Sequence, residues 1–316
     1  MKILFWVGYQ NPYWTKQTYL DKGIGGSEYC VLKLADYLDL KGHDVTISGD
    51  VNTGNYWGVK YINRGDLTKN LGPRGLTQPN NVQAYPHYGV VIATNYLHYI
   101  KHLEDLNIDF DRSYFWMHNE FFYKWYRGGE LHNWEQYLTH DKLNKVVGVS
   151  EYHEDILKNE FEALGYNTTQ LTTYIRSIDN AIDLNDYKNR KVLPKIKGRI
   201  VWTSSPDRGL DLILDNWSDW KAKRPDLTLA ICSPPYGEKW FKRDVKKLDG
   251  VEWLGAQNPD NLKNEIDKAE YWIYSSDYVE TYCISALEMM MGKVKILTNG
   301  AGNIMNLIIR EHVCLF

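Results

Sequence analysis

The sequence predicts an α/β chain built as two doubly wound domains in tandem, and three observations carry that prediction. Apolar runs alternate with amphipathic helical patterns along most of the length, as βα units around a parallel sheet require. Near the middle this rhythm stops in a basic segment containing Pro194 and Gly198, then restarts. The 316 residues are enough for two cores of ordinary size. The expected division is 1–185 for the first domain and 186–316 for the second.

Taken in order, Lys2 to Val7 is the first strand, a continuous apolar run suited to burial. Val31, Leu34, Ala35 and Leu38 recur at helical spacing between Ser27 and Lys41, and Gly42 closes the segment as a C-terminal cap does. Val45 to Ser48 follows as a strand and completes a βαβ unit. Thr53 to Pro86 reads as loop-rich. Further strands are expected at Val90–Ala93, Tyr114–Met117 and Lys145–Val149, the last leading into a helix through Ile156 and Leu157. Lys188, Arg190, Lys191, Lys195, Lys197 and Arg199 lie in a stretch without apolar periodicity, which reads as a solvated interdomain connector. Beyond it, strands are expected at Ile200–Thr203, Leu227–Ile231, Val251–Leu254, Tyr271–Tyr274 and Lys295–Thr298.

Composition narrows the function. The 37 basic side chains are balanced by 40 acidic ones, a net charge of -3, which speaks against a sequence-independent nucleic-acid binder. Cys30, Cys232, Cys283 and Cys314 are scattered, with no C-x-x-C pair, so neither a zinc knuckle nor a disulfide framework is expected and a reducing cytoplasm fits. The N-terminus lacks the pattern of a secretory signal, and no apolar run is long enough to cross a membrane. Twelve Trp and 24 Tyr supply core mass and flat faces on which a sugar or base can rest.

The most informative segment runs from Asp277 to Glu288, after the strand at Tyr271–Tyr274. It places Glu280 in a loop and Glu288 about two turns into a helix, with the amides of Thr281, Tyr282 and Cys283 at the helix N-terminus, where a phosphate is favoured. The alternative is the polar face of an ordinary amphipathic helix. Thr203 to Leu210 is a second strand-to-helix turn, in which Ser204 precedes Arg208-Gly209; the guanidinium can neutralise a diphosphate or pair with Asp207 or solvent. Gly23-Ile24-Gly25-Gly26-Ser27-Glu28 brings flexible backbone to a helix start after a long loop, but Glu28 stands where a dinucleotide fingerprint needs a third glycine. His118, followed by Asn119 and Glu120, lies at the end of the Tyr114–Met117 strand. Tyr9, Tyr13, Trp14 and Tyr19 in the first loop either stack on a sugar or pack that loop down. Asp109-Phe110-Asp111 reads as an acidic turn rather than a metal-holding D-x-D.

In this order these segments resemble the retaining family 4 glycosyltransferases (glycosyl transferases group 1) of the GT-B fold. The carriers are Gly25-Gly26, His118, the strand end at Val147 to Ser150, Asn180-Ala181-Ile182-Asp183, Arg208-Gly209 and the Glu280/Glu288 pair. The resemblance implies two Rossmann-like domains facing across a cleft, acceptor-side first and nucleotide-sugar side second. It implies transfer of a hexose, with retention, from a UDP- or GDP-sugar to a carbohydrate or lipid-linked acceptor, with no metal and no other cofactor. By resemblance, Arg208 and the amides of residues 281–283 hold the diphosphate, Glu288 the ribose, Glu280 the transferred sugar, and His118, Glu280 and Arg208 form the catalytic set, with Ser204, Gly25 and Gly26 beside the donor. Lipid acceptors leave peripheral membrane contact open. Three departures stand out: Ser204 and Ser205 occupy the place of a second basic residue, for which Lys239 or Lys293 are substitutes; Asn119 stands where the family often has Asp; and the family's closing C-terminal helices are not expected after Arg310. Other functions on the same fold are a non-catalytic nucleotide-sugar or glycan binding protein and a nucleotide-sugar epimerase.

Overall fold

The computed structural model describes residues 1–8, 13–67, 87–94, 98–120, 140–163, 165–167, 172–239 and 241–310. Its contacts divide the chain into two units, Met1–Lys16 with Ser27–Asp179, and Gln17–Gly26 with Asn180–Phe316. The segment 17–26 thus groups with the second unit, and the main boundary falls between Asp179 and Asn180.

The first unit is a sheet of β1 (Lys2–Gly8), β2 (Asp44–Gly49), β3 (Gly54–Tyr56), β4 (Val59–Asn63), β5 (His87–Thr94), β6 (Asp109–Trp116), β7 (Leu143–Gly148) and β8 (Ile175–Ser177). The strand order is β3-β4-β2-β1-β5-β6-β7-β8. Every pairing is parallel except the β3–β4 hairpin. Its helices are α2 (Gly26–Leu40), α3 (Tyr99–Asp105) and α4 (Glu151–Ala163), whereas α1 (Lys16–Lys22) lies, from Gln17 on, in the second unit's segment. Leu4 and Trp6 of β1 join Val91, Ala93, Phe115 and Val146 in one core with Tyr99, Ile100 and Leu103 of α3 and Leu157 and Phe161 of α4. Strand alternation turns Ile3, Phe5 and Val7 to the opposite face. Gly42, at φ +83°, ends α2 as expected.

Three sequence expectations change here. The first loop contains α1, and of its aromatics Trp14 is buried whereas Tyr13 is half exposed; Tyr9 lies outside the described residues. The loop-rich stretch holds the β3–β4 hairpin, and its residues 68–86 lie outside the described residues. Asp109 and Asp111 open β6 instead of forming a turn, and Asp109 accepts from Lys142 Nζ at 2.7 Å, so local pairing on a strand replaces the acidic turn.

The second unit is a parallel sheet of β9 (Arg199–Trp202), β10 (Thr228–Cys232), β11 (Val251–Gly255), β12 (Tyr271–Tyr274) and β13 (Lys295–Thr298), in the order β11-β10-β9-β12-β13. The helices α5 (Leu210–Lys223), α6 (Pro259–Lys268), α7 (Ile284–Met291) and α8 (Ile304–Arg310) connect or follow these strands. Val201, Trp202, Leu229, Ile231 and Trp272 of the strands are buried, as are Leu210, Ile213, Leu214 and Trp217 of α5 and Ile266 of α6. Trp217 Nε1 donates to the Asp249 carbonyl at 2.8 Å, so its polar atom is satisfied.

The basic connector is not merely solvated. Arg190 makes a two-pronged pair with Asp267, at 2.6 and 2.5 Å, and the Asp267 side chain is 0% exposed. Lys195 Nζ donates to the Gly292 carbonyl at 2.6 Å, and Arg199 pairs with Glu265 at 2.6 Å. A carboxylate buried on the inner side of α6 needs a cation, and the connector supplies it. Replacing Asp267 by Ala leaves Arg190 without its partner and is expected to cost about 3 kcal/mol, read as a lower denaturant midpoint at unchanged slope.

In the first unit Glu160 of α4 is 8% exposed, and neither carboxylate oxygen has a hydrogen-bond partner among the described residues. Burial, reinforced by Glu120, pushes this carboxyl up to about 8. Its folded value lies above the unfolded one, so its contribution to stability is full below the unfolded value and is lost as pH rises through about 8. Glu160→Gln is therefore expected to raise the unfolding temperature relative to wild type at about pH 8.5, with the gain shrinking toward about pH 5.

Candidate functional site

In the second unit, the strand order steps outward from β9 through β10 and β11 on one side and through β12 and β13 on the other. The switch point therefore lies between β9 and β12, where open α/β sheets bind ligands beyond the strand ends. The two loops leaving those strands carry Arg208 and Glu280.

Two glycines bring these loops together. After β9, the single turn Pro206–Arg208 ends at Gly209, which has φ +107°. A β-carbon there would lie 2.0 Å from the Ser275 carbonyl oxygen, so the loop after β9 rests directly on the loop after β12. Beyond β13, Gly302 has φ +68°, and its β-carbon would lie 2.4 Å from both the nitrogen and the oxygen of Glu280. Asn303 N donates to the Glu280 carbonyl at 2.7 Å, and Asn299 Nδ2 donates to the Ser276 carbonyl at 2.9 Å. The backbone around Glu280 is thus held from both sides.

Aromatic side chains then set the charged groups. The Tyr274 hydroxyl, at the end of β12, donates to Glu280 Oε1. The Arg208 guanidinium lies 3.2 Å from the centroid of the Tyr278 ring. Among the described residues no carboxylate comes within 4.0 Å of that guanidinium. Burial raises the Glu280 carboxyl above the usual range, while Tyr274 and Arg208 pull it back. Burial acts against the Arg208 charge, but Tyr278, Asp207, Glu280 and Tyr274 outweigh it and the group stays cationic. The result is a half-buried, aligned cation and a carboxylate that do not consume each other.

The remaining site residues fall as follows. α7 starts at Ile284, with Cys283 at its N-cap in the left-handed region at φ +70°. Thr281, Tyr282 and Cys283 therefore precede the helix, and the amides that open it begin with Ile284; all three residues are buried. Glu288 is the fifth residue of α7, just over one turn in and not two. Burial pushes its carboxyl up to about 7, with Lys263 opposing and Asp186 reinforcing. The Ser204 carbonyl accepts from Trp202 Nε1 at 2.7 Å. Gly25 is buried, and a β-carbon on Gly26 would stand 3.6 Å from Ile284 Cδ1. Gly23, at φ +74°, lies so close to the Gln257 carbonyl that a β-carbon would meet it at 2.7 Å. The glycine segment thus packs against the start of α7 and the turn after β11, both within the second unit. Lys293 follows α7 and precedes β13, so it lies at the N-terminal end of an outer strand, whereas Arg208 follows the C-terminal end of the central β9; the Lys239 side chain lies outside the described residues.

His118 belongs to the first unit, just beyond β6, with its ring centroid 4.5 Å from that of Trp116. Burial, then the nearby His153, pushes it down to about 3, so it is neutral at neutral pH. His153 is itself fully buried near the start of α4, where its Nδ1 accepts from Val149 N at 3.2 Å and its own amide donates to Ser150 Oγ. Sequence reasoning missed Tyr274, Tyr278, Gly302 and His153. The Asn299-Gly300-Ala301-Gly302 string directly after a strand was the one available signal for the rear clamp. Among the described residues no group of three or more His, Cys, Asp or Glu is placed to hold a metal ion, and no helix is long and apolar enough to cross a membrane.

Two doubly wound sheets in tandem, with a cation and a carboxylate at the second sheet's switch point, give the fold of the GT-B glycosyltransferases. HepE of Anabaena, solved with UDP-glucose, superimposes with a TM-score of 0.63 at 14% identity, covering 97% of this chain and 82% of that one. Sucrose-phosphate synthase of Thermosynechococcus elongatus gives 0.60 at 13% identity, covering 96% and 82% of the two chains. TarM gives 0.60 at 12% identity, covering 94% and 84%. Residues 196–314 match the family described as Glycosyl transferases group 1. A curated relative, the lipopolysaccharide 1,2-N-acetylglucosaminetransferase of Salmonella typhimurium (strain LT2), is 30% identical over 110 residues, 32% of this chain. The match spans 29% of that relative's length.

The clamp on Glu280 can be tested directly. Gly302→Ala combines a left-handed backbone with a clash against the Glu280 main chain, so it is expected to cost about 2 kcal/mol or more in stability. Gly300→Ala shares the positive φ but meets only the flexible Met305 side chain, and is expected to cost less; thermal unfolding of the two variants gives the comparison.

Proposed function

We propose that this chain is a retaining hexosyltransferase that moves a sugar from a nucleotide-diphosphate donor to a carbohydrate or lipid-linked acceptor. One observation carries the reading: a half-buried Arg208, aligned on Tyr278 and without a carboxylate in pairing range among the described residues, beside Glu280 at the switch point of the second sheet. A cation held this way is matched to a diphosphate, whose charge grows as the bond to the sugar breaks. Glu280 accepts from hydroxyls of the transferred sugar, and Glu288 accepts from the ribose. The relatives favour a uridine diphosphate donor, since HepE is solved with UDP-glucose, and the curated relative's name makes N-acetylglucosamine a candidate sugar beside glucose.

In the proposed reaction the bond between the anomeric carbon and the β-phosphate oxygen breaks. The acceptor hydroxyl oxygen forms the new bond from the same face, and its proton passes to the departing phosphate oxygen. Arg208 and the backbone amides near the start of α7 stabilise that leaving group, so the step needs no metal.

The test is thermal stabilisation by UDP-, GDP- and ADP-sugars with and without EDTA, paired with donor turnover. A nucleotide at about 100 times its dissociation constant adds roughly 2.7 kcal/mol. The expected outcome is a shift with uridine nucleotides that EDTA leaves intact, turnover of the donor, and loss of that turnover in Glu280→Ala. Stabilisation without turnover would point instead to a nucleotide-sugar binding protein.

A further inference from the structure

We infer that Tyr274 is a positioning residue: its hydroxyl fixes the Glu280 carboxylate in the orientation and charge state that the proposed transfer requires. The inference rests on the reading of Glu280 above and adds a residue to it. Tyr274 is 1% exposed at the C-terminal end of β12, with its ring stacked on Trp272 at 4.7 Å and on Trp202 at 5.7 Å. These two rings support the phenol, and its hydroxyl donates to Glu280 Oε1. Tyr274 is not a general acid or base in this scheme, since burial and the adjacent Glu280 drive its own ionisation far above the working range.

The physical need is specific. Glu280 sits where burial favours its neutral form, and a neutral carboxyl is a poorer acceptor for sugar hydroxyls. Among the described residues Arg208 is the other group that counters burial at Glu280, yet it makes no ion pair with that carboxylate and is aligned on Tyr278. The Tyr274 hydrogen bond therefore stabilises the anion without drawing on the cation reserved for the diphosphate. It also engages Oε1, so that Oε2 is the oxygen left for a ligand's hydroxyls in this scheme.

The deciding variant is Tyr274→Phe, which keeps the stacked ring and removes one oxygen. UDP-glucose and UDP-N-acetylglucosamine are the donors, and kcat and KM are followed across pH for wild type, Tyr274→Phe, Glu280→Gln and Glu280→Ala. The expected result is a fall in kcat of about tenfold or more with donor KM changed far less, and an acidic limb moved up by about one pH unit because the anion has lost its donor. A kcat within about twofold of wild type and an unmoved limb would overturn the inference. Independently of turnover, the Glu280 carboxyl can be followed by carbon NMR of Glu-labelled protein, assigned with Glu280→Gln. Its midpoint should rise in Tyr274→Phe, and an unchanged midpoint overturns the inference even if no donor is turned over. Full activity in Glu280→Ala would instead count against the role given to Glu280, whereas loss in Glu280→Ala with a silent Tyr274→Phe would count against Tyr274 alone.

Discussion

The site depends on backbone closeness that only glycine permits. The loop carrying Glu280 is pressed between Gly209 on one side and Gly302 on the other, at separations that exclude a β-carbon at either position. Side chains cannot substitute for such a contact, because a flexible group can shift by tenths of an ångström and a main chain held on two sides cannot. The aromatic supports then act on a frame already fixed: Tyr274 orients one carboxylate oxygen, and Tyr278 aligns the guanidinium. Preorganisation is the economical design for charge stabilisation, since the groups do not reorganise as charge develops.

Buried charge follows a different logic in each unit. Asp267 is wholly enclosed but fully answered, with Arg190 on both oxygens and the Leu193 amide on Oδ2 at 3.1 Å. It fastens the chain just after the boundary to the second unit's own α6. Glu160 is enclosed and unanswered among the described residues, and it resolves the conflict by holding its proton. His118 and His153 do the reverse, staying neutral by refusing one. The inner side of α4 is therefore uncharged near neutrality although it carries both an acid and a base.

The strands and their alternation with helices were legible from apolar runs, and β12 and β13 fall on the expected residues. The turns that carry Arg208 and Glu280 were legible from the apolar runs that precede them, and the strand order puts both turns at the switch point. Tyr274 was hidden inside the run Tyr271-Trp272-Ile273-Tyr274, where an aromatic residue reads as core mass; only the fold reveals that its hydroxyl reaches past the strand end. Asp267 was hidden because an acid in a polar-looking helix reads as solvated, and its partner lies 77 positions away. The early helix α1 was missed because seven residues with no buried member carry no apolar periodicity.

The grouping of residues 17–26 with the second unit has a consequence for how the chain is made. Synthesis passes through the opening strand of the first unit, then a stretch whose neighbours Gln257 and Ile284 lie more than two hundred residues ahead, then back to the first unit at Ser27. The two units are interleaved along the chain, not simply sequential, so this segment waits for partners made more than two hundred residues later. A fragment ending at Asp179 would carry the glycine segment without its surroundings. An excised second half would in turn lack one of its own pieces.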